Sequence, residues 1–227
     1  MQQHCDGLTS TEIADSQKLY ITTGGSTGVP VGFHLQKGVS RPKEQAFLEA
    51  NWRRAGYFDK ARLALIRGHV TDSRAKDNII AHDATRDWLM LSSYHLTDER
   101  IPEYLEALEN FQPDFLNIYP SAALQLAEYL QRHDQRWRTP LLGVLCGSEQ
   151  LTLSQKRLLE DVFQCRVLRW YGHAERVVLA AEGAYSDLFY FWPHYGFVEF
   201  GEADGDGLRE VIGTTFHNMA MPLVRYR

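Results

Sequence analysis

Phe115-Leu-Asn-Ile-Tyr-Pro-Ser121 and, further along, Leu141-Leu-Gly-Val-Leu-Cys-Gly-Ser-Glu149 decide the fold. Each begins as a short, almost wholly apolar run and breaks at a polar turn, the pattern of a strand buried on both faces. Between them Ser121 is positioned to cap a helix running to about His133. Working upstream, Ile101, Tyr104, Leu105, Leu108 and Phe111 recur at helical spacing between Asp98 and Phe111, and Pro113 stops that helix. Arg62-Leu-Ala-Leu-Ile-Arg67 reads as another buried strand, and Pro42 to about Phe58 as a helix with proline in its first turn. Downstream the alternation continues with a helix over Ser154–Phe163 and a strand over Arg166–Tyr171, followed by Gly172.

Strands alternating with amphipathic helices predict an α/β fold with a largely parallel sheet and flanking helices. Beyond Ala184 the texture changes. Phe189–Trp192, Gly196–Phe200, Glu210–Gly213 and Leu223–Tyr226, separated by Gly and Asp turns, predict an antiparallel β meander. The expected organisation is an irregular lead-in over 1–18, an α/β nucleotide-binding core over 19–183, and an antiparallel segment of the same domain over 184–227. Within the core, Lys18–Thr22 is a short strand. Ligands in such sheets sit at the carboxyl ends of strands, so the loops after Thr22, Tyr119, Cys146 and Tyr171 are the ones to search.

The 227 residues, 44% of them apolar and 12% aromatic, suffice for a sizeable core. A formal charge of −5 and no long basic run leave nothing to attract nucleic acid or an anionic membrane. Three scattered cysteines, with no CxxC pair, argue against a disulfide framework or a zinc site. The polar start lacks a signal-peptide pattern and no apolar run approaches a membrane span. A cytoplasmic location is expected.

The loop Thr22-Thr-Gly-Gly-Ser-Thr-Gly-Val-Pro30 has the glycines and hydroxyls of a phosphate cradle, yet Val29 stands where a Walker loop needs lysine. Gly147-Ser-Glu149 and Tyr171-Gly-His-Ala-Glu175 are two further polar turns at strand ends. Glu149 and Glu175 are the carboxylates placed to meet a metal bound to phosphate, although an acid also suits a helix start. His173 and Glu175 spell the H-x-E of zinc deaminases, but the partner P-C-x-x-C is missing.

In order along the chain, three of these segments resemble the adenylate-forming superfamily of acyl-CoA synthetases. Thr22–Pro30 is similar to its phosphate loop, Tyr171–Glu175 to its Tyr-Gly-x-x-Glu motif, and Met221-Pro-Leu-Val-Arg-Tyr-Arg227 to the strand before its Thr-Gly-Asp. Leu91-Ser-Ser-Tyr-His-Leu96, Ile118-Tyr-Pro-Ser121 and Tyr171–Glu182 resemble most the phenylacetate–CoA ligase-like branch, including the CapK-type proteins associated with capsular polysaccharide biosynthesis.

The resemblance implies an ATP- and Mg²⁺-using ligase that forms an acyl-adenylate from a small carboxylic acid and passes the acyl group to coenzyme A or a carrier thiol. It assigns the triphosphate to Thr23, Gly24, Gly25, Ser26, Thr27 and Gly28, with Thr23 and Glu175 as catalytic residues and Glu175 as the Mg²⁺ ligand. Gly147, Ser148 and Glu149 would border the adenine, with Tyr171 and Gly172 packed against it. Tyr94, His95, Tyr119 and Pro120, with Trp88 nearby, are candidates for the wall of the acid pocket.

Two departures qualify this. Val31 replaces the lysine that many members carry after the loop proline, and the ribose-binding Asp and the C-terminal lysine domain are absent after Arg227. By the same resemblance an N-terminal portion is expected ahead of Met1. The expectation is therefore a partial chain of a longer enzyme, with a non-catalytic remnant serving as a nucleotide-binding or scaffold module as the alternative.

Overall fold

The computed structural model describes residues 5–23, 30–68 and 79–227. In chain order the elements are α1 (Cys5–Leu8), β1 (Lys18–Thr22), β2 (Gly32–Gln36), α2 (Ser40–Trp52), β3 (Leu63–Arg67), β4 (Ile80–Asp83) and β5 (Trp88–Ser92). There follow α3 (Ile101–Phe111), β6 (Phe115–Ile118), α4 (Pro120–Arg132), β7 (Gly143–Cys146), α5 (Leu153–Phe163) and β8 (Arg166–Gly172). The last strands are β9 (Leu179–Gly183), β10 (Ser186–Phe191), β11 (Gly196–Ala203) and β12 (Arg209–Thr215). The fold is mixed α/β with a largely parallel sheet, flanking helices and antiparallel strands toward the C-terminus. Its compact units are 51–170 and, formed from both ends of the chain, 1–50 with 171–227. No helix among the described residues is long and apolar enough to cross a membrane.

In the 51–170 unit the strand order is β8-β7-β6-β3-β5-β4. All neighbours are parallel except β4, which runs antiparallel to β5 at the edge. Leu63, Phe115, Gly143 and Arg166 form one row across four strands, and Ile66, Ile118, Cys146 and Arg169 form a row near the other end. The residues that follow this second row, Arg67, Tyr119, Gly147 and Trp170, are therefore delivered side by side at the carboxyl ends.

The run of fully buried residues in β3, β6 and β7 explains why these strands read as apolar blocks with no alternation. They pack against α3, α4 and α5 through Leu108, Leu126, Leu159 and Phe163, each worth about 1.5–3 kcal/mol when buried. Asp114 aligns the strand starts. Its carboxylate accepts from Arg62 N (2.8 Å), its own N–H donates to Arg62 O (2.8 Å), and its carbonyl accepts from Leu142 N (2.8 Å). Helix α5 opens with a capping box in which Thr152 and Gln155 satisfy each other's backbone N–H groups.

In the other unit β1 and β2 form an antiparallel hairpin with Thr22 opposite Gly32. A Cβ on Gly32 would lie 1.9 Å from the Tyr20 hydroxyl, so a larger residue there would make the exposed Tyr20 ring swing aside. Phe33 and Leu35 alternate inward to join Val177, Val178, Met221 and Leu223 in a second core. Buried Asn218 ties distant segments together: its Nδ2 donates to His34 O (2.7 Å) and Met221 O (3.2 Å), and its Oδ1 accepts from Gln36 N (2.9 Å). β9 pairs with β10, and β11 with β12, both antiparallel. Tyr195 is buried against Phe47 and His217.

Several expectations need correction. The strand before the glycine loop does not end at a parallel sheet edge, because 32–36 folds back on 18–22 and makes the loop a hairpin connection. Helix α2 stops at Trp52, short of Phe58, since a 3-10 turn and the left-handed Gly56 (φ 89°) end it. Ser121 is not the cap of α4: Tyr119 holds that position, with Pro120 first in the helix. Leu223–Tyr226 forms no strand but a single bridge, Tyr226 to Gly213. Strands β4 and β5, and β9, went unread.

Candidate functional site

The carboxyl ends of the parallel strands converge on Arg67. Its Nε and Nη2 donate to Asn117 Oδ1 at 2.8 and 2.6 Å, and its Nη1 donates to Ser148 Oγ at 3.1 Å and to Gly147 O at 3.4 Å. The guanidinium carbon lies 4.6 Å from the Tyr119 ring centroid and 5.8 Å from that of Trp170. Desolvation lowers the Arg67 pKa, opposed by Tyr119 and Cys146, but an arginine starts so high that it stays charged.

Of the residues carried over for the adenine border, Gly147 is buried, and a Cβ there would meet the Trp170 indole at 2.1 Å. Ser148 is left-handed (φ 73°) and exposed. Glu149 has a definite local task, since its carboxylate accepts from Ser121 N (2.8 Å) and Ser121 Oγ (3.0 Å) and so serves the open first turn of α4.

Among the acid-pocket candidates, Tyr119 stacks on Arg67 and Pro120 is buried in the first turn of α4. Tyr94 is 72% exposed, with its hydroxyl close over Gly68. Exposed His95 pairs through Nδ1 with Ser92 Oγ (2.9 Å). Trp88 lies on β5 under the Arg86 guanidinium.

In the 1–50 with 171–227 unit, Thr23 closes the neck of the glycine loop. Its N–H donates to Val31 O and its Oγ1 accepts from Val31 N, both at 3.0 Å. Gly24, Gly25, Ser26, Thr27 and Gly28 lie outside the described residues. Tyr171 is exposed, edge-on to Phe191 at 6.2 Å, and Gly172 ends β8. The chain then turns, with Arg176 N donating to His173 O (3.1 Å) and left-handed Arg176 pairing through Nε with Glu44 (2.6 Å).

That turn presents Glu175, a buried carboxylate at 7% exposure. Tyr226 Oη donates to its Oε1 at 2.6 Å, and His173 Nδ1 lies 3.3 Å from its Oε2, within ion-pair distance but off the line of a good hydrogen bond. Burial pushes the Glu175 carboxyl up, but His173 and Tyr226 together outweigh it and hold the pKa below the usual glutamate value. The same contact, with burial, pushes the Tyr226 phenol well up. A buried, ionised carboxylate with oxygen lone pairs to spare is a hard donor of the kind Mg²⁺ takes.

No family model matches the chain. It is 24% identical over 207 residues to protein CapK of Staphylococcus aureus, covering 90% of this chain and 45% of that protein. It is 27% identical over 133 residues to phenylacetate-coenzyme A ligase of Pseudomonas putida, covering 54% and 30%. Among solved structures it is similar to 2-hydroxyisobutyryl-CoA ligase in complex with 2-HIB-AMP and CoA, with a TM-score of 0.63, 15% identity, and coverage of 94% of this chain and 52% of that one. The amide bond synthetase McbA from Marinactinospora thermotolerans matches with a TM-score of 0.56 at 16% identity, over 93% and 42%.

The fold is that of the adenylate-forming, CoA-ligase-like superfamily. The resemblance read from the sequence is borne out at that level, and the chain spans less than half the length of the two curated relatives. Within the adenylate-forming fold, sequence reasoning missed Arg67, Asn117, Trp170 and Tyr226. Two signals were available: a cation directly after the apolar block Leu63-Ala-Leu-Ile66, and an asparagine inside the buried strand β6. Trp170 and Tyr226 carried none, because their roles depend on partners far away in sequence.

Proposed function

We propose that this chain forms the nucleotide-binding part of an ATP-dependent ligase that activates a carboxylic acid as its acyl-adenylate and then transfers the acyl group to coenzyme A or another thiol. The observation that carries this reading is Glu175, ionised and buried in the turn of the Tyr-Gly-x-x-Glu motif, with the Tyr226 phenol donating to its carboxylate and His173 at ion-pair distance. It is supported by the adenylate-forming fold and by neighbours whose structures hold an acyl-AMP and CoA.

In this reading Glu175 would hold Mg²⁺, which when bound would supply positive charge against the phosphates. Tyr226 and His173 keep Glu175 ionised and aimed. Thr23 and Val31 hold the ends of the loop carrying Gly24 to Gly28 at a fixed separation, which sets where that loop can meet the triphosphate. Gly147 and Ser148 border the adenine, and Tyr119 and Pro120 wall the acid. The chemistry is positioning and electrostatic stabilisation of a phosphoryl centre, with no covalent intermediate on the protein. Cytoplasmic residence suits these substrates and accords with Cys146 and Cys165 standing outside any disulfide.

The test is pyrophosphate release by the full-length protein, with ATP and Mg²⁺, over a panel of aryl, fatty and hydroxy acids. Release with one class of acid is the expected result. No release with any acid, and no binding of ATP, would remove the reading. ATP binding without release would favour a nucleotide-binding module, the alternative that apolar Val31 at the lysine position favours.

A further inference from the structure

Arg67 is a cation held, among the described residues, by neutral partners alone: the Asn117 amide, the Ser148 hydroxyl and the Gly147 carbonyl, between the rings of Tyr119 and Trp170. Glu149 is near enough to act on it electrostatically, but its carboxylate bonds to Ser121. Withdrawing a guanidinium from water is costly, and an apolar side chain could bridge these strand ends without that cost. What an apolar side chain could not do is hold the next turn in place. Two of the four hydrogen bonds go to Gly147 and Ser148, where the backbone is least ordinary: Ser148 is left-handed and Gly147 sits directly under the Trp170 indole. A non-glycine residue in that region persists when its surroundings over-determine it, which is a feature of ligand clamps. The planar fork of arginine lets one side chain bind two strand ends at once.

We propose that Arg67 is a positioning residue for nucleotide recognition, holding the Gly147–Ser148 turn in the shape that receives the adenine and acting through that turn without touching the nucleotide. This rests on the adenylate-forming reading, which assigns the adenine to that turn.

The experiment is calorimetric binding of two probes, adenosine and AMP, to the full-length protein and to its Arg67→Met and Arg67→Lys variants, each checked for an intact circular dichroism spectrum. Arg67→Met is expected to weaken both probes by the same factor, about tenfold or more, because charge-assisted hydrogen bonds to the turn are lost. Lysine, which cannot fork, should rescue little. With a responsive acid, KM for ATP should rise while KM for the acid stays within about twofold.

Unchanged adenosine binding in Arg67→Met would overturn the proposal. A loss confined to AMP and restored by lysine would also overturn it, since the cation would then be meeting phosphate directly. If the wild-type protein binds neither probe, the adenylate-forming reading falls first, which separates the two failures. Should Arg67→Met not fold, Ser148→Gly serves instead. It relaxes the left-handed backbone and removes only the hydroxyl acceptor, so a smaller, equal loss for both probes is expected, and no loss in either counts against the proposal.

Discussion

The phenol of Tyr226 donates to the carboxylate of Glu175 at 2.6 Å, across 51 residues of chain. The bond shifts the two groups in opposite directions, lowering the glutamate and raising the tyrosine. It also joins two segments that sequence motifs treat as separate. Tyr226→Phe should destabilise the fold by about 1–2 kcal/mol, because Glu175 is left buried with one donor fewer. Denaturant unfolding of wild type and variant measures this.

Acid should act through the same pair. A carboxyl held below its ordinary pKa contributes stability that is complete above the unfolded value, near ~4.3, and is lost as the pH falls through the folded value. The raised phenol contributes fully below ~10 and loses its contribution only as the pH rises through its own folded value. Unfolding free energy should therefore be level around neutrality and fall on acidification below about pH 4.5. Glu175→Gln should flatten part of that acid slope, as urea titrations between pH 3 and pH 7 would reveal.

In the full-length protein, Glu175→Gln should cut pyrophosphate release by about a hundredfold or more while leaving the fold intact, since metal-borne charge stabilisation is worth several kcal/mol. Near-normal release from the variant would reduce Glu175 to a structural acid.

Gly147→Ala should cost about 1–3 kcal/mol, because the new methyl group would meet the Trp170 indole at 2.1 Å and force the ring to move. Gly201→Ala is the control. Its nearest neighbour would be the Glu210 Cβ at an ordinary 3.4 Å, so it should be neutral within about 0.5 kcal/mol. Thermal melts of the pair isolate the indole contact.

Thr152→Ala breaks the capping box of α5 and should lose about 1 kcal/mol, the usual value of such a cap. Thr152→Ser, which keeps the hydroxyl, should recover most of it.

The β-α-β centre was legible because β3, β6 and β7 are buried on both faces and so carry unbroken apolar runs, while α3 and α4 show their helical stripes. Strands with mixed burial were not. In β4 only the pattern of partial exposure at an edge remains, and β2 places just Phe33 and Leu35 in the core. The glycine loop was recognised by composition, but its neighbour β2 was missed, and with it the hairpin. For the site, Glu175 announced itself through a motif. Tyr226 and Arg67 did not, since one acts through a side-chain bond spanning 51 residues and the other through bonds spanning 50 and 81.

Asn218 reaches His34 and Gln36 across more than 180 residues. This makes the order of assembly a consequence of topology. The contacts of the 51–170 unit lie within one continuous stretch, whereas the second core joins both ends of the chain and needs residue 218 before it can close on the β2 hairpin. Loop closure itself is a weak brake, about 0.6 kcal/mol for each doubling of length, but the delay is set by synthesis at about 5–20 residues per second. During that interval Phe33 and Leu35 have no Met221 or Leu223 to cover them. Any truncation before residue 218 therefore leaves the apolar face of this hairpin without Asn218, Met221 and Leu223.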